Sequence, residues 1–118
     1  MVTRLHDLPD EVRLTLQTFL QDGGGIAEAE GLFNPTDTWI GHPPYPRRRF
    51  VRAYGHGNRW IVWYEHGGLG YHLHAIGVIQ SQKTARMDGN ARYVGFDGEQ
   101  LCAGSRAYFG GAQTSQEY

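Results

Sequence analysis

The residues of this sequence that could do chemistry gather in residues 47–80, where imidazoles and a carboxylate lie close together. Glu65 precedes a glycine-rich segment. His72 and His74 follow it with the His-x-His spacing that puts two imidazoles on one face of a strand. Such a trio could bind Zn²⁺ or act as general acid and base. The same pattern is also typical of polar residues on a solvated or interface face of a sheet. We favour this last interpretation, and we predict no cofactor.

Glycine-rich segments divide this region into three predicted strands, which are rich in β-branched and aromatic residues and cover residues 50–54, 60–66 and 71–79. If residues 68–69 form a two-residue turn, Glu65 lies opposite His72 and Trp63 lies opposite His74. All four side chains then share one face of the sheet.

The first hairpin extends this predicted face. A turn at Gly57-Asn58 supplies the positive φ that tight hairpins need, and it places Arg52 opposite Trp63. A slip of one residue in that turn would move Arg52 to the other face. The predicted binding residues of the region are polar or aromatic: Arg52, Tyr54, Trp63, Glu65, His72 and His74.

Five arginines interleaved with aromatic residues suggest a surface for single-stranded nucleic acid; they are Arg47, Arg48, Arg49, Arg52 and Arg59. Charge also protects the edge strand of a sheet, which explains the run without a ligand. The net charge of −1 gives no global attraction to nucleic acid or membrane, so we expect neither as a partner.

The charge is distributed unevenly along the chain. Residues 1–40 hold 2 basic and 7 acidic side chains, whereas residues 41–118 hold 9 basic and 5 acidic ones. Internal attraction between the two parts explains this asymmetry, and so does a basic binding face.

Cys102 is the single cysteine, so no internal disulfide can form, which fits a reducing compartment. Nothing near Cys102 in the sequence supplies the base that a catalytic thiol needs. The N-terminus lacks the basic start and apolar core of a signal peptide, and no run approaches the ~18 apolar residues of a membrane helix. We therefore expect a soluble, cytoplasmic protein.

A helix is predicted at residues 8–22, with Asp7 as its N-cap and Pro9 in its first turn. Asp10 and Glu11 favour the positive end of the helix dipole. Apolar residues at helical spacing form one stripe along it: Leu8, Val12, Leu16, Phe19 and Leu20.

The segments on either side of the central stretch are less regular. After the glycines that end the helix, residues 26–33 allow a short second helix, and the proline-rich residues 34–46 predict a loop with a short strand at 38–41. After residue 80, the turn signals Asp88-Gly89 and Asp97-Gly98 predict strands at 83–87, 90–96 and 99–104.

Together these elements predict an α+β fold, in which an N-terminal amphipathic helix packs on a curved antiparallel β meander of five to six strands. Glycines inside the strand patterns, at positions 77, 95 and 104, often mark bends, so the sheet is expected to form a half-barrel or cone with a pocket in its mouth. We expect a single domain over residues 1–118 with a flexible tail from about residue 110.

The residues favour a binding or interaction module over an enzyme, because Trp, Tyr and Arg dominate protein interfaces. One helix cannot cover both faces of the sheet, so we predict a homodimer with Trp63, His72 and His74 at the interface or lining a pocket beside it. A small molecule or a protein is the other expected partner. The alternative is a small pocket enzyme of hydrolase or isomerase type that uses Glu65 and the two histidines. Binding of single-stranded nucleic acid is the second alternative.

Overall fold

The computed structural model of the chain describes residues 1–36, 38, 45–68, 71–93 and 98–110, with the backbone alone for residues 23, 72, 89–93 and 98–100. It is an α+β structure, as predicted. In chain order the elements are α1 (Asp10–Phe19), β1 (Arg48–His56), β2 (Arg59–His66), β3 (His72–Ser81), β4 (Thr84–Tyr93) and α2 (Gly98–Phe109). The strands form one antiparallel sheet in the order β1-β2-β3-β4.

Helix α1 is shorter than the predicted helix at 8–22. Pro9 is its N-cap with an extended backbone, and the Pro9 carbonyl accepts the Arg13 N–H at 2.9 Å. Asp7 therefore does not cap α1 and instead ends a 3₁₀ turn, Leu5–Asp7. The restriction that a proline places on the residue before it explains why regular helix does not extend back to Leu8. The acidic first turn is present, with Asp10 and Glu11.

Most of the predicted stripe is buried against the sheet, namely Leu8, Val12, Leu16 and Leu20. Phe19 is the exception, because its side chain is 38% exposed. It lies on the flank of α1 in a shallow apolar groove with Leu14 and Met87, beyond the edge of the sheet at β4. The prediction that Phe19 belongs to the apolar stripe that packs on the sheet is therefore wrong.

The first hairpin has the predicted register. Gly57 has a φ of 62°, His56 pairs with Arg59, and Arg52 pairs with Trp63. Between Phe50 and Arg52 the register shifts, so Val51 is an extra residue in β1. Such a bulge bends the strand locally and redirects its side chains.

The second hairpin does not have the predicted register. His66 pairs with His72, so the connection spans residues 67–71 and not a two-residue turn. The Gly67 N–H donates to the Arg47 carbonyl at 2.7 Å, and a side chain at Gly67 would collide with the Asn34 carbonyl. These contacts with distant segments draw Gly67 out of the hairpin. The shift of one residue moves every side chain of β3 to the opposite face from the predicted one.

The region after residue 80 also differs from the prediction. Asp88-Gly89 is not a turn but part of β4, where Gly77 pairs with Gly89 and Val78 with Met87, so that Asp88 is a bulged residue. The strands predicted at 83–87 and 90–96 therefore belong, up to Tyr93, to one strand.

Residues 99–104, predicted as a strand, lie in helix α2. Leu101, Ser105 and Tyr108 recur at helical spacing and are buried against the sheet. Since these residues are helical, the sheet of the described residues has four strands and is open, and neither five to six strands nor a half-barrel is confirmed.

The two helices cover opposite faces of the sheet. On the face of α1, Val12 and Leu16 pack among sheet residues that include Phe50, Val62, Tyr64 and Ile76. On the face of α2, Leu101 and Tyr108 pack among Ile61, Trp63, Leu73 and Ala75. The molecule therefore has three layers, helix on sheet on helix.

Three predictions fall largely outside the described residues: the short strand at 38–41, the turn at Asp97-Gly98 and the tail from about residue 110. Residues 26–33 contain no helix, and Ala27 instead forms an isolated bridge with Arg49 of β1. None of the helices in the described part of the chain is both long enough and apolar enough to cross a membrane.

Candidate functional site

The predicted trio of Glu65, His72 and His74 is not assembled into one site. Glu65 pairs with Leu73, and His74 pairs with Tyr64, so Glu65 and His74 point to opposite faces of the sheet. The backbone of His72 lies opposite His66. Among the residues that the structure describes, no group of three or more His, Cys, Asp or Glu could hold a metal ion.

His74 is instead part of the core beneath α1. It is 2% exposed, and its ring stacks on Tyr64 with a centroid distance of 5.4 Å and an interplanar angle of 9°. The His66 ring is tilted against it at 5.2 Å. The register of the second hairpin produces this stack, because it pairs His74 with Tyr64 and not, as predicted, with Trp63.

Trp63 is completely buried within the chain itself. Its Nε1 donates a hydrogen bond to Ser105 Oγ on α2 at 2.9 Å, and Tyr54 packs against the same cluster. Helix α2 covers Trp63, so the burial of this side chain requires no second subunit. The homodimer stays a prediction, but Trp63 and His74 do not form its interface, because both are buried in one chain.

Arg48, one of the five arginines proposed for nucleic acid, closes the C-terminal end of α1. Its Nη1 donates to the carbonyls of Leu20 at 3.3 Å and Asp22 at 2.8 Å, and its Nη2 lies 3.4 Å from the Asp22 carboxylate. A cation at the negative end of a helix dipole stabilises the helix. The side chain is almost fully buried and is therefore not part of a basic surface.

Arg59 is also used inside the fold. Its guanidinium lies 4.4 Å from the centroid of the Tyr108 ring, donates to the Tyr108 carbonyl at 3.3 Å and lies 3.5 Å from the Asp88 carboxylate. Tyr108 donates its hydroxyl to Asp88 at 2.6 Å. Burial, with this hydrogen bond, raises the pKa of Tyr108 to about 12. The hydroxyl therefore remains a donor at neutral pH and holds α2 against the bulge of β4.

A cleft of about 560 Å³ opens at the edge of β1. Two segments cover this edge. Val2 pairs with Ala53 through two backbone hydrogen bonds of 2.8 and 2.9 Å, and Ala27 bonds to the backbone of Arg48 and Phe50 at 2.8 and 2.9 Å. The cleft lies between these two segments, beside the bulge at Val51. Its lining comes from the two covering segments, from β1 and from β2: Thr3, Arg4, Ala29, Glu30, Arg49, Phe50, Val51, Arg52 and Glu65.

Glu28 fastens the two covering segments to each other. Its carboxylate accepts hydrogen bonds from the backbone N–H groups of Leu5 at 2.5 Å, Ala29 at 2.7 Å and His6 at 3.0 Å. The Nδ1 atom of the His6 ring also lies 3.2 Å from it. Burial raises the pKa of Glu28, but these donors outweigh it and lower the pKa from 4.5 to about 2. The carboxylate thereby fixes the position of Thr3 and Arg4 at the rim of the cleft.

Glu65 lines the cleft, but its carboxylate is saturated by neighbours. Arg49 binds it through two nitrogens, Nε at 2.5 Å and Nη2 at 3.1 Å, and Tyr71 donates its hydroxyl to it. The Arg49 guanidinium also lies 4.0 Å from the centroid of the Phe33 ring. Burial, with the bond to Glu65, raises the pKa of Tyr71. Three donors thus hold the Glu65 carboxylate in place, an arrangement that is more typical of a structural role than of a general base.

Three charged side chains of the cleft differ from this saturated pair. Arg52 makes no hydrogen bond or ion pair with a described residue, and its Nε is buried. Neither Arg4 nor Glu30 makes a hydrogen bond or ion pair with the described residues. Sequence reasoning identified Arg52 and Glu65 because both lie in predicted strands. It missed Arg4 and Glu30, since no periodic pattern marks the segments that carry them.

No protein-family model, no curated protein and no solved structure matches this chain.

Proposed function

We propose that this chain is a non-catalytic binding module that takes up an anionic group in the cleft at the edge of β1. The single observation that carries the proposal is that Arg4 and Arg52 line one cleft without internal carboxylate partners. A guanidinium presents its donors in a planar fork that matches a carboxylate or a phosphate. The Nε of Arg52 is buried, and leaving such a donor unsatisfied costs about 1–3 kcal/mol, which an anionic ligand would recover.

The contrast with Arg49 supports this assignment. Arg49 lies in the same cleft, yet Glu65 satisfies it with a bidentate pair. The fold thus supplies an internal carboxylate for two arginines of β1, Arg48 and Arg49, and none, among the described residues, for Arg52. The Nε of Arg52 is a buried donor without a partner among the described residues, and an anion in the cleft would supply one.

The enzyme alternative has weaker support. Its residues, Glu65, His72 and His74, were expected to act together, and Glu65 and His74 point to opposite faces. The nucleic-acid alternative loses three of its five arginines, because Arg48, Arg49 and Arg59 are bound to neighbouring groups within the chain. Binding of a small anionic group is the function that uses the remaining charge.

The proposal is tested by titrating the protein with N-acetyl-trialanine, which carries one carboxylate, and with inorganic phosphate. We expect Arg52→Gln to weaken binding of the preferred anion by roughly 10–100-fold, since a hydrogen bond to a charged group contributes about 1.5–3 kcal/mol. The matched control is Arg86→Gln, which removes an exposed arginine of β4. Equal affinity of the wild type, Arg52→Gln and Arg86→Gln for both anions would refute the proposed site.

A further inference from the structure

We infer that the ligand of the β1 cleft is a zwitterion, a short peptide with free termini, whose carboxylate binds Arg52 and Arg4 and whose ammonium group binds Glu30. The inference rests on the proposed function, because it specifies the ligand class of the same cleft. Glu30 carries the inference, because this charged residue of the cleft has no role in the binding of a simple anion.

Glu30 is placed in the cleft by an unusual backbone. Its φ is 61°, in the left-handed region that residues other than glycine seldom adopt. The turn that holds it is closed by the Gly31 N–H, which donates to the Glu28 carbonyl at 2.8 Å. Glu28 in turn is fixed by its bonds to Leu5 and His6. The backbone of Glu30 is thus tied to the most firmly anchored carboxylate of the N-terminal region.

The carboxylates near the cleft differ in how they are used. Glu28 accepts backbone N–H groups, and Glu65 accepts Arg49 and Tyr71, whereas Glu30 makes no hydrogen bond or ion pair with the described residues. Glu30 nevertheless shares the electrostatic environment of the cleft. The pKa of Arg49 is raised mainly by its bonds to Glu65, and the nearby Glu30 makes a smaller contribution in the same direction.

The charge balance of the lining favours a ligand with charges of both signs. When the Arg49–Glu65 pair is set aside as neutral, the lining retains two positive side chains, Arg4 and Arg52, and one negative side chain, Glu30. A multiply charged anion such as phosphate would be attracted by the arginines and repelled by Glu30. A peptide with free termini carries a charge complementary to each sign of the lining. Repulsion between Glu30 and a multiply charged anion would discriminate against that anion, as like-charge contacts commonly do.

The dimensions and the apolar part of the lining agree with a peptide. A volume of about 560 Å³ lies within the ~300–1,000 Å³ of small-ligand sites and accommodates a few residues. Ala29, Phe50 and Val51 contribute apolar surface between the charged groups. A free amino acid would leave most of this surface in contact with water.

The test compares three peptides: trialanine, N-acetyl-trialanine, which lacks the ammonium group, and trialanine amide, which lacks the carboxylate. Each is titrated by calorimetry or NMR into the wild type and into Glu30→Gln. We expect N-acetylation to weaken binding to the wild type by about 1.4–5-fold, since an exposed ion pair contributes about 0.2–1 kcal/mol. We expect this difference to disappear in Glu30→Gln, because the carboxylate that would bind the ammonium group is then absent and N-acetylation has no ion pair to remove. The matched control is Asp10→Asn, which removes a carboxylate at an exposed position of α1 and should leave the difference unchanged.

The outcomes separate the inference from the proposed function. If N-acetyl-trialanine binds the wild type as tightly as trialanine, or if the difference persists in Glu30→Gln, the zwitterion inference is overturned. The anion site stands in that case, provided that amidation still weakens binding. If trialanine amide binds as tightly as trialanine, the carboxylate is not bound by the arginines, and the proposed function fails together with the inference.

Discussion

Replacement of Glu28 by glutamine should destabilise the fold at neutral pH, and the loss should depend on pH. The shift of the Glu28 pKa from 4.5 to about 2 corresponds to roughly 3 kcal/mol between the charged and the protonated carboxyl, at ~1.36 kcal/mol per pKa unit. The side chain is 29% exposed, so solvent screens part of this interaction. We therefore expect Glu28→Gln to cost about 2 kcal/mol, or roughly 8 °C in Tm for a chain of this length.

The direction of the pH dependence follows from the lowered pKa. Between about pH 4.5 and 2 the unfolded chain binds a proton at Glu28 that the folded chain does not, so stability falls as the pH falls through this range. Above about pH 5 the full contribution is present. The difference in stability between wild type and Glu28→Gln should therefore be largest at pH 6–7 and should shrink towards pH 2.5.

Urea denaturation at pH 2.5, 4 and 7 measures this difference directly, and other carboxylates cancel because both proteins contain them. Glu30→Gln is the control, since this neighbouring carboxylate makes no hydrogen bond with the described residues and its loss should barely change stability. If Glu28→Gln and the wild type differ equally at pH 2.5 and pH 7, the negative charge of Glu28 is not what holds the N-terminal segment, and the reasoning is wrong.

Two further predictions concern the core, each measured by denaturant unfolding. Leu16→Ala should lower the free energy of unfolding by about 2–5 kcal/mol, because Leu16 is fully buried. Phe19→Ala should lower it by no more than roughly 1–2 kcal/mol, because Phe19 is partly exposed. Equal losses would contradict this placement of α1. Gly77→Ala should cost about 1–3 kcal/mol, because its Cβ would lie 2.5–2.7 Å from the Tyr108 ring and hydroxyl. Its penalty should fall sharply in a Tyr108→Ala background, and an unchanged penalty would place the strain elsewhere.

The two central hairpins show what the sequence could predict and what it could not. The turn at Gly57-Asn58 is determined mainly by the local sequence, because Gly57 supplies the positive φ and no described residue beyond its chain neighbours lies within 4 Å of where its side chain would be. The sequence therefore predicted its register correctly. The connection after His66 depends on Gly67, whose N–H bonds to Arg47, about twenty residues earlier in the chain. No local pattern reveals such a contact, so the predicted register was wrong by one residue.

The errors after residue 80 have a similar origin. Asp88-Gly89 has the composition of a hairpin turn, but in β4 the same freedom of the backbone makes a bulge that turns Asp88 towards Tyr108 and Arg59. Whether such a pair of residues turns or bulges depends on what Asp88 can bind, and α2 supplies the partner. Because residues 99–104 were predicted as a strand and not as part of α2, the partner of Asp88 could not be anticipated, and neither could the bulge.

The charge asymmetry of the sequence explains only some of the charged residues near the cleft. Internal attraction between the acidic first part and the basic remainder accounts for Arg48, which binds Asp22. It does not account for Arg52, which lies in the same strand without an internal partner among the described residues. The bridges of Val2 and Ala27 to β1 bring Arg4 and Glu30 to the same place. A site built where the two parts of the chain meet combines charges from both, and for this reason we expect its ligand to carry both signs as well.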